Sequence, residues 1–245
     1  MPRAVHFLPE GVLVLATAGD SGRHAHRAVQ LLLAPEAPVR VSTPQTDADC
    51  QFVALPPQLP HRVQGAGQPL VHLFLDPGPS AWRAWQAAGG NAAPPPATLI
   101  AELREATREP LTEARAQALL IAWREACLPG LRTQPPPDPR IAAAVARIDA
   151  DPTAADLDHR ALAARVHLSA SRFLALFPQH TGMPVSHYRL WRQLLLAVTL
   201  LRQGASVTEA AHAAGFADGP HLSRSVRQVL GSSPSEIRLP GPADR

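Results

Sequence analysis

The stretch His24-Ala-His-Arg-Ala-Val-Gln30 puts two imidazoles one residue apart and an amide four residues further on. On an extended strand residues 24, 26 and 30 share parity, so their side chains project from one face and can converge inside a barrel. Such a group can hold a metal, line an effector pocket, or pack as ordinary hydrogen-bonded polar residues. No general acid, base or nucleophile constellation stands beside the histidines, which counts against catalysis.

The other residues with chemical potential are arginines. All 23 basic side chains are Arg, the side chain suited to phosphate and bidentate base contacts, although a GC-rich genome produces the same bias. Residues 1–138 carry 11 Arg against 12 Asp and Glu, whereas 139–245 carry 12 against 8. The C-terminal part is therefore modestly basic, a hint of nucleic acid.

At 245 residues and 46% hydrophobic composition the chain has material for one large or two ordinary packed domains. It has no apolar run near the ~20 residues a bilayer requires and no secretory leader pattern, so the expected location is the cytoplasm, away from membranes. Cys50 and Cys127 lack metal or disulfide spacing and are expected to be reduced and structural.

Proline-rich breaks at Gly89–Pro96 and Pro129–Pro139 divide the chain. Ahead of them, residues 1–88 alternate β-rich runs with turns, "GVLVLAT" (11–17), "RAVQLLLA" (27–34), "PVRVST" (38–43), "CQFVAL" (50–55) and "LVHLFL" (70–75), the pattern of an antiparallel sandwich or barrel. His72 within the last run, and Trp82 and Trp85 on a helix after it, are expected in the core. Residues 98–128 read as a helical hairpin that could cover the barrel or pair with a second subunit.

After the linker at 129–139, residues 140–240 are helical with clear punctuation. Asp158 and Ser169 suit N-caps, Gly182 a C-cap, Ser206-Val-Thr-Glu209 a capping box and Asp218 a further N-cap, with a long helix spanning about 184–203. The pattern occurs twice: His167, Leu168, Phe173, Phe177, Gly182, Ser186 and Arg189 correspond to Gly215, Phe216, Leu222, Val226, Gly231, Ser235 and Arg238. Each copy is a short helix, a tight turn and a second helix, a helix-turn-helix. His167 replaces the turn glycine of the other copy, and histidine is one of the side chains less unusual at positive φ.

In the second helix of each copy, the core spacing of Phe173, Leu176 and Phe177, and of Leu222, Val226 and Leu230, leaves the opposite face for reading DNA. That face carries Ser171, Arg172 and Ala175 in the first copy and Pro220, His221, Arg224 and Arg227 in the second. Arg224 is the leading base reader, since a guanidinium bonds bidentately to guanine O6 and N7; Arg172 and His221 follow, and Arg227 suits a phosphate. Ala170, Leu174 and Ala175 leave the first reading helix poor in hydrogen-bonding groups, suited to shape or thymine-methyl readout.

The segments "LAARVHLSASRFLALFPQHTGMPVSHYR" (162–189) and "VTEAAHAAGFADGPHLSRSVRQVLGSSPSEIR" (207–238) resemble the DNA-binding domain of AraC/XylS-type transcription regulators. The first block is similar to the cupin-like sensor domain that such regulators often carry. Metal-binding cupins show HxH, then Glu, then a later His; here Gln30 stands at the Glu position, His61 of "PPQLPH" (56–61) at the later His, and Gln58 where a glycine is expected. The resemblance thus implies His24, His26, Gln30 and His61 as a site for a divalent transition metal or an organic effector. It implies an α+β multidomain chain with an N-terminal cupin-like β-barrel, a helical hairpin and a C-terminal all-α domain with two helix-turn-helix motifs. The function it implies is sequence-specific, non-enzymatic transcription regulation, with double-stranded DNA, a second copy of the chain and RNA polymerase as partners. The competing expectations are a metal-dependent cupin enzyme of dioxygenase or isomerase type with an accessory helical domain, and an architectural DNA-binding protein whose barrel only dimerises.

Overall fold

The computed structural model describes residues 2–8, 11–26, 28–75, 79–128 and 138–230, with backbone only at 2–3, 79–80 and 227–230. They belong to two compact units, one holding the strands with the helices of the hairpin, the other holding the C-terminal helices.

In the first unit, β1 (Pro2–Leu8), β2 (Gly11–Thr17), β8 (Pro69–Leu75), β3 (Gln30–Leu33) and β6 (Phe52–Leu55) form an antiparallel sheet in the order β1-β2-β8-β3-β6. A second antiparallel sheet has the order β5-β4-β7, from β5 (Asp47–Cys50), β4 (Val39–Ser42) and β7 (Arg62–Gln64). The register pairs Leu13 with Leu73 and Leu31 with Leu73, so odd-numbered positions of β2, β3 and β8 share one face, on which Leu13, Leu31, Leu33, Leu73 and Leu75 are fully buried. The even-numbered positions place Gln30 and His72 among Val12, Val14, Leu32 and Phe74. Strands buried on both faces read as continuous apolar runs, which is why "GVLVLAT" shows no alternation.

Helices α2 (Ala97–Ala106) and α3 (Glu113–Cys127) follow α1 (Pro79–Ala87) and make the hairpin. They lie in the same unit as the sheets, with α3 packed on β1 and β2. Trp85 is buried and Trp82 half-buried.

Three expectations need correction. Of the run 27–34 the strand is Gln30–Leu33, and ahead of it His24 and His26 bond to His61 and Gln58. The run 50–55 divides at Gln51 into β5 and β6, which lie in different sheets. The linker at 129–139 ends earlier at its C-terminal side, since Asp138 caps α4 (Pro139–Ala150), accepting from Arg140 N, and Pro139 begins the helix, where its missing N–H costs nothing. Residues 129–137 lie outside the described residues.

The second unit continues with α5 (His159–Arg165), α6 (Ala170–Thr181), α7 (Val185–Arg202), α8 (Val207–Ala213) and α9 (Gly219–Leu230). Asp158 accepts from Arg160 N and Ala161 N, Ser169 from Arg172 N, and Asp218 from His221 N. Ser206 and Glu209 form the reciprocal capping box, at 3.2 Å and 2.8 Å. Phe173, Phe177, Met183 and Tyr188 close a core with Ile141, Ile148 and Leu162. No described helix is long and apolar enough to cross a membrane.

Removing either cap, Asp158→Ala or Ser206→Ala, is expected to lower stability by about 1 kcal/mol in urea unfolding followed by far-UV circular dichroism. Unchanged midpoints in both variants would show that these caps contribute nothing to the helices they begin.

Candidate functional site

The two helix-turn-helix units repeat down to single hydrogen bonds. His167 holds φ at 55° and Gly215 at 78°. Leu168 N donates to Ala163 O at 2.9 Å, matched by Phe216 N to Ala211 O at 2.9 Å; His167 N donates to Ala164 O at 3.1 Å, matched by Gly215 N to His212 O at 3.1 Å. This is a left-handed helix stop, and the side chain after it turns into the core. Phe216 is buried and Leu168 half-buried at these matching positions.

With Phe173, Leu176 and Phe177 buried on α6, and Leu222 and Val226 on α9, the opposite faces are exposed. Ser171, Arg172 and Ala175 are exposed on α6, as are Pro220, His221 and Arg224 on α9. The side chain of Arg227 lies outside the described residues, as do Gly231, Ser235 and Arg238 of the repeat. Arg147 and Arg165 are ion-paired to Asp156, and Arg192 to Asp149. Among the described residues neither Arg172 nor Arg224 has an acidic partner. The imidazole of His221 packs edge-on to Phe216, with centroids 5.3 Å apart, and its Nδ1 accepts from Ala217 N at 3.5 Å, leaving Nε2 for a partner. Leu174 is 44% exposed on α6, an apolar side chain among its exposed positions.

In the first unit, backbone pairing and not strand parity brings the histidines together. His24 and His61 form an isolated antiparallel bridge, His24 N donating to His61 O at 2.9 Å and His61 N to His24 O at 2.8 Å. Gln58 N donates to His26 O at 2.6 Å, with Gln58 at φ 63°. This left-handed conformation explains why glycine would suit the position, since other residues adopt it at a cost of roughly 1–2 kcal/mol.

The His24 ring centroid lies 4.6 Å from that of His26 and 4.4 Å from that of His61, and His26 lies 5.2 Å from His61. One ring nitrogen from each falls within 4.8 Å of the others. His24 Nδ1 is 3.0 Å from Gly22 O and His61 Nδ1 is 2.9 Å from Leu59 O. A ring nitrogen facing a carbonyl must donate, so in the neutral rings both Nε2 atoms carry lone pairs. His24 Nε2 is 3.0 Å from His26 Nε2, so the latter donates. His61 is 1% exposed and its Nε2 is buried without a hydrogen-bond partner. Burial pushes the His61 pKa down to about 4, against the backbone hydrogen bond to Leu59.

Gln30 takes another partner. Its amide nitrogen donates to His72 Nδ1 at 2.8 Å across the even-numbered face, and its Oε1 is buried without a partner. Burial, aided by His24 and His61, pushes the half-buried His72 down to about 3. Phe74, the cross-strand neighbour of Gln30, has its ring 4.8 Å from that of His26, so the two polar groups adjoin. His72, read from sequence as plain core, is therefore the residue of this site that sequence reasoning missed. Its place follows from the β3–β8 register, for which strand composition carries no signal. The donor set suits a divalent transition metal: three imidazoles, two oriented by carbonyls behind them, and a buried unpartnered nitrogen.

Comparison with known proteins agrees with this architecture. A family described as "Helix-turn-helix domain" matches residues 162–239. The HTH-type transcriptional activator RhaS of Escherichia fergusonii is 40% identical over 79 residues, 32% of this chain. The match spans only 28% of the length of that curated relative. Among solved structures, an apo form of ToxT from Vibrio cholerae aligns with a TM-score of 0.56 over 92% of this chain and 96% of its own, at 10% identity, a likeness of fold. An AraC-type regulator from Chromobacterium violaceum is 30% identical, covering 41% of this chain and 89% of its own, with a TM-score of 0.38.

The neutral, buried histidines carry a pH signature. His61 and His72 have folded pKa values below the ordinary 6.5, so the unfolded chain binds more protons at mildly acidic pH. Their stabilisation is complete above about pH 6.5 and is lost as pH falls towards 4. Metal-free protein should lose about 1 kcal/mol for each of the two between pH 7.5 and 5.5. Denaturant unfolding at the two pH values measures it, and His72→Gln should remove about half of the dependence. Equal loss in wild type and variant would exclude His72 as a source.

Proposed function

We propose that the chain, with a helix-turn-helix match over 162–239 and an N-terminal antiparallel β-sheet domain, is a sequence-specific DNA-binding transcription regulator of the AraC type. In this reading it is not an enzyme, and its N-terminal domain senses a small molecule or a metal ion. The observation that carries the proposal is the duplicated motif, in which both second helices bury one apolar face and expose arginine on the other.

Arg224 reads guanine in the major groove, with Arg172 and His221 as further base contacts and Arg227 on a phosphate. Ser171, Ala175 and Pro220 lie against the groove around them. The two reading helices occupy successive major grooves about one helical turn apart, so that one chain reads one half-site. A homodimer through the sheet domain and the α2–α3 hairpin, RNA polymerase as a further contact, and a cytoplasmic location belong to the same reading. His24, His26, Gln30 and His61 are the residues through which the signal is received.

Fluorescence anisotropy with fragments of the protein's own upstream region tests it. Binding should be salt-sensitive, and Arg224→Ala should weaken the preferred fragment by about 1–3 kcal/mol, roughly 5- to 150-fold, with a smaller loss on unrelated DNA. Absence of any sequence preference at moderate salt would overturn the proposal, and an equal loss on both DNAs would reassign Arg224 to a phosphate.

A further inference from the structure

We propose that the two helix-turn-helix units read chemically different boxes of DNA: α9 a box bearing guanine, and α6 a box of thymines, met by the apolar side chains of Leu174 and Ala175. The inference rests on the DNA-binding reading above and deepens it, since it names the class of half-site that one chain accepts.

The second helices of the two motifs correspond at an offset of 49 residues, with Phe173 and Phe177 matched by Leu222 and Val226 in the core. The same offset sets Leu174 against Ser223 and Ala175 against Arg224. Ala175 and Arg224 are both exposed, so the place that holds a guanidinium on α9 holds a bare methyl group on α6. Ser223 donates its hydroxyl to Gly219 O at 2.9 Å, which leaves its oxygen as an acceptor; Leu174 has no side-chain polar atom at the equivalent position. The Ser171 hydroxyl of α6 stands 3.3 Å from the Ser169 Oγ that caps the helix. Over residues 171–175 the exposed face of α6 therefore keeps one charged group, Arg172, beside two apolar ones.

Leu174 is the one large apolar side chain exposed among the described residues. A lone exposed leucine is common on protein surfaces, but this one adjoins the position that matches Arg224. In the major groove the thymine C5-methyl is the apolar group that base edges display, the others being hydrogen-bond donors and acceptors. Packing Leu174 and Ala175 on the edge of a G·C pair would strip its polar groups of water without replacing their bonds, at a cost. Packing them on thymine methyls removes apolar surface from water on both sides. On α9 the preference is reversed, because guanine O6 and N7 accept the two N–H groups of an arginine. One chain accordingly fits an asymmetric half-site, a thymine box and a guanine box about one helical turn, roughly 10 base pairs, apart.

Selection of duplexes from a randomised library by the full-length protein, followed by fluorescence anisotropy on the selected site, tests the assignment. Two boxes should emerge, and Arg224→Ala should relax the guanine box while the thymines of the other remain selected. Deoxyuridine in place of thymine in that second box removes the methyl alone and should weaken wild-type binding about fourfold per methyl, the worth of one buried carbon. The ratio should shrink in Leu174→Ala and persist in Arg224→Ala, and 5-methylcytosine should be preferred to cytosine at the same positions. Because Leu174 is exposed, its variant should keep the wild-type circular dichroism spectrum. A second box without thymine, no loss with deoxyuridine, or an equal loss in wild type and Leu174→Ala would overturn the proposal and leave Leu174 to a protein partner or to solvent. The regulator reading would survive that failure as long as the guanine box is still selected, whereas absence of any preferred duplex would overturn both.

Discussion

Two residues held at positive φ, His167 and Gly215, set the geometry on which the surface of the helical domain depends. Each ends a helix and turns the next side chain inward, so the following helix must cross over the first. Once Phe173 and Phe177, or Leu222 and Val226, are committed to the core, the rotation of that helix is decided. Arg172 and Arg224 are then exposed because nothing else is compatible with burying the other face. That histidine serves in one copy and glycine in the other shows that the constraint lies in the backbone.

A corresponding constraint governs the sheet domain. Imidazoles packed this close cannot be charged together, and burial already drives His61 and His72 towards the neutral form. Neutral rings need donors and acceptors in the right order, and backbone carbonyls impose that order on His24 and His61. The group is consequently a set of aimed lone pairs, chemically suited to an ion or to a ligand bearing hydrogen-bond donors. The pair Gln30–His72 borders it on the face of β3 and β8. Both domains thus present their chemistry through backbone geometry fixed by local pairing.

The helical domain was legible from sequence to an unusual depth. Caps at Asp158, Ser169, Ser206 and Asp218 are short-range devices whose partners lie two or three residues away, and all four are made. The exposed face of α6 and α9 followed from periodicity alone. In the sheet domain the same reasoning succeeded for β2 and β8 and failed around the histidines. Residues 24 and 26 share parity with residue 30, but the chain preceding Gln30 pairs with 58–61 instead of continuing β3. The apolar content of "CQFVAL" likewise concealed a crossing from one sheet to the other at Gln51.

What this sequence determined by itself are those features whose causes lie within about one helical turn or one motif: the caps, the duplicated turns, the amphipathic second helix of each motif and the arginines exposed upon them. Tertiary structure alone decided which histidines meet. The approach of His61 to His24 spans 37 positions of chain and depends on strand register, while Gln30 bonds to His72 at a separation of 42 because β3 and β8 are neighbours. Side-chain types announce that such groups can react. Only the pairing of distant backbone, each segment satisfying the other's N–H and C=O groups, determines which of them do so together.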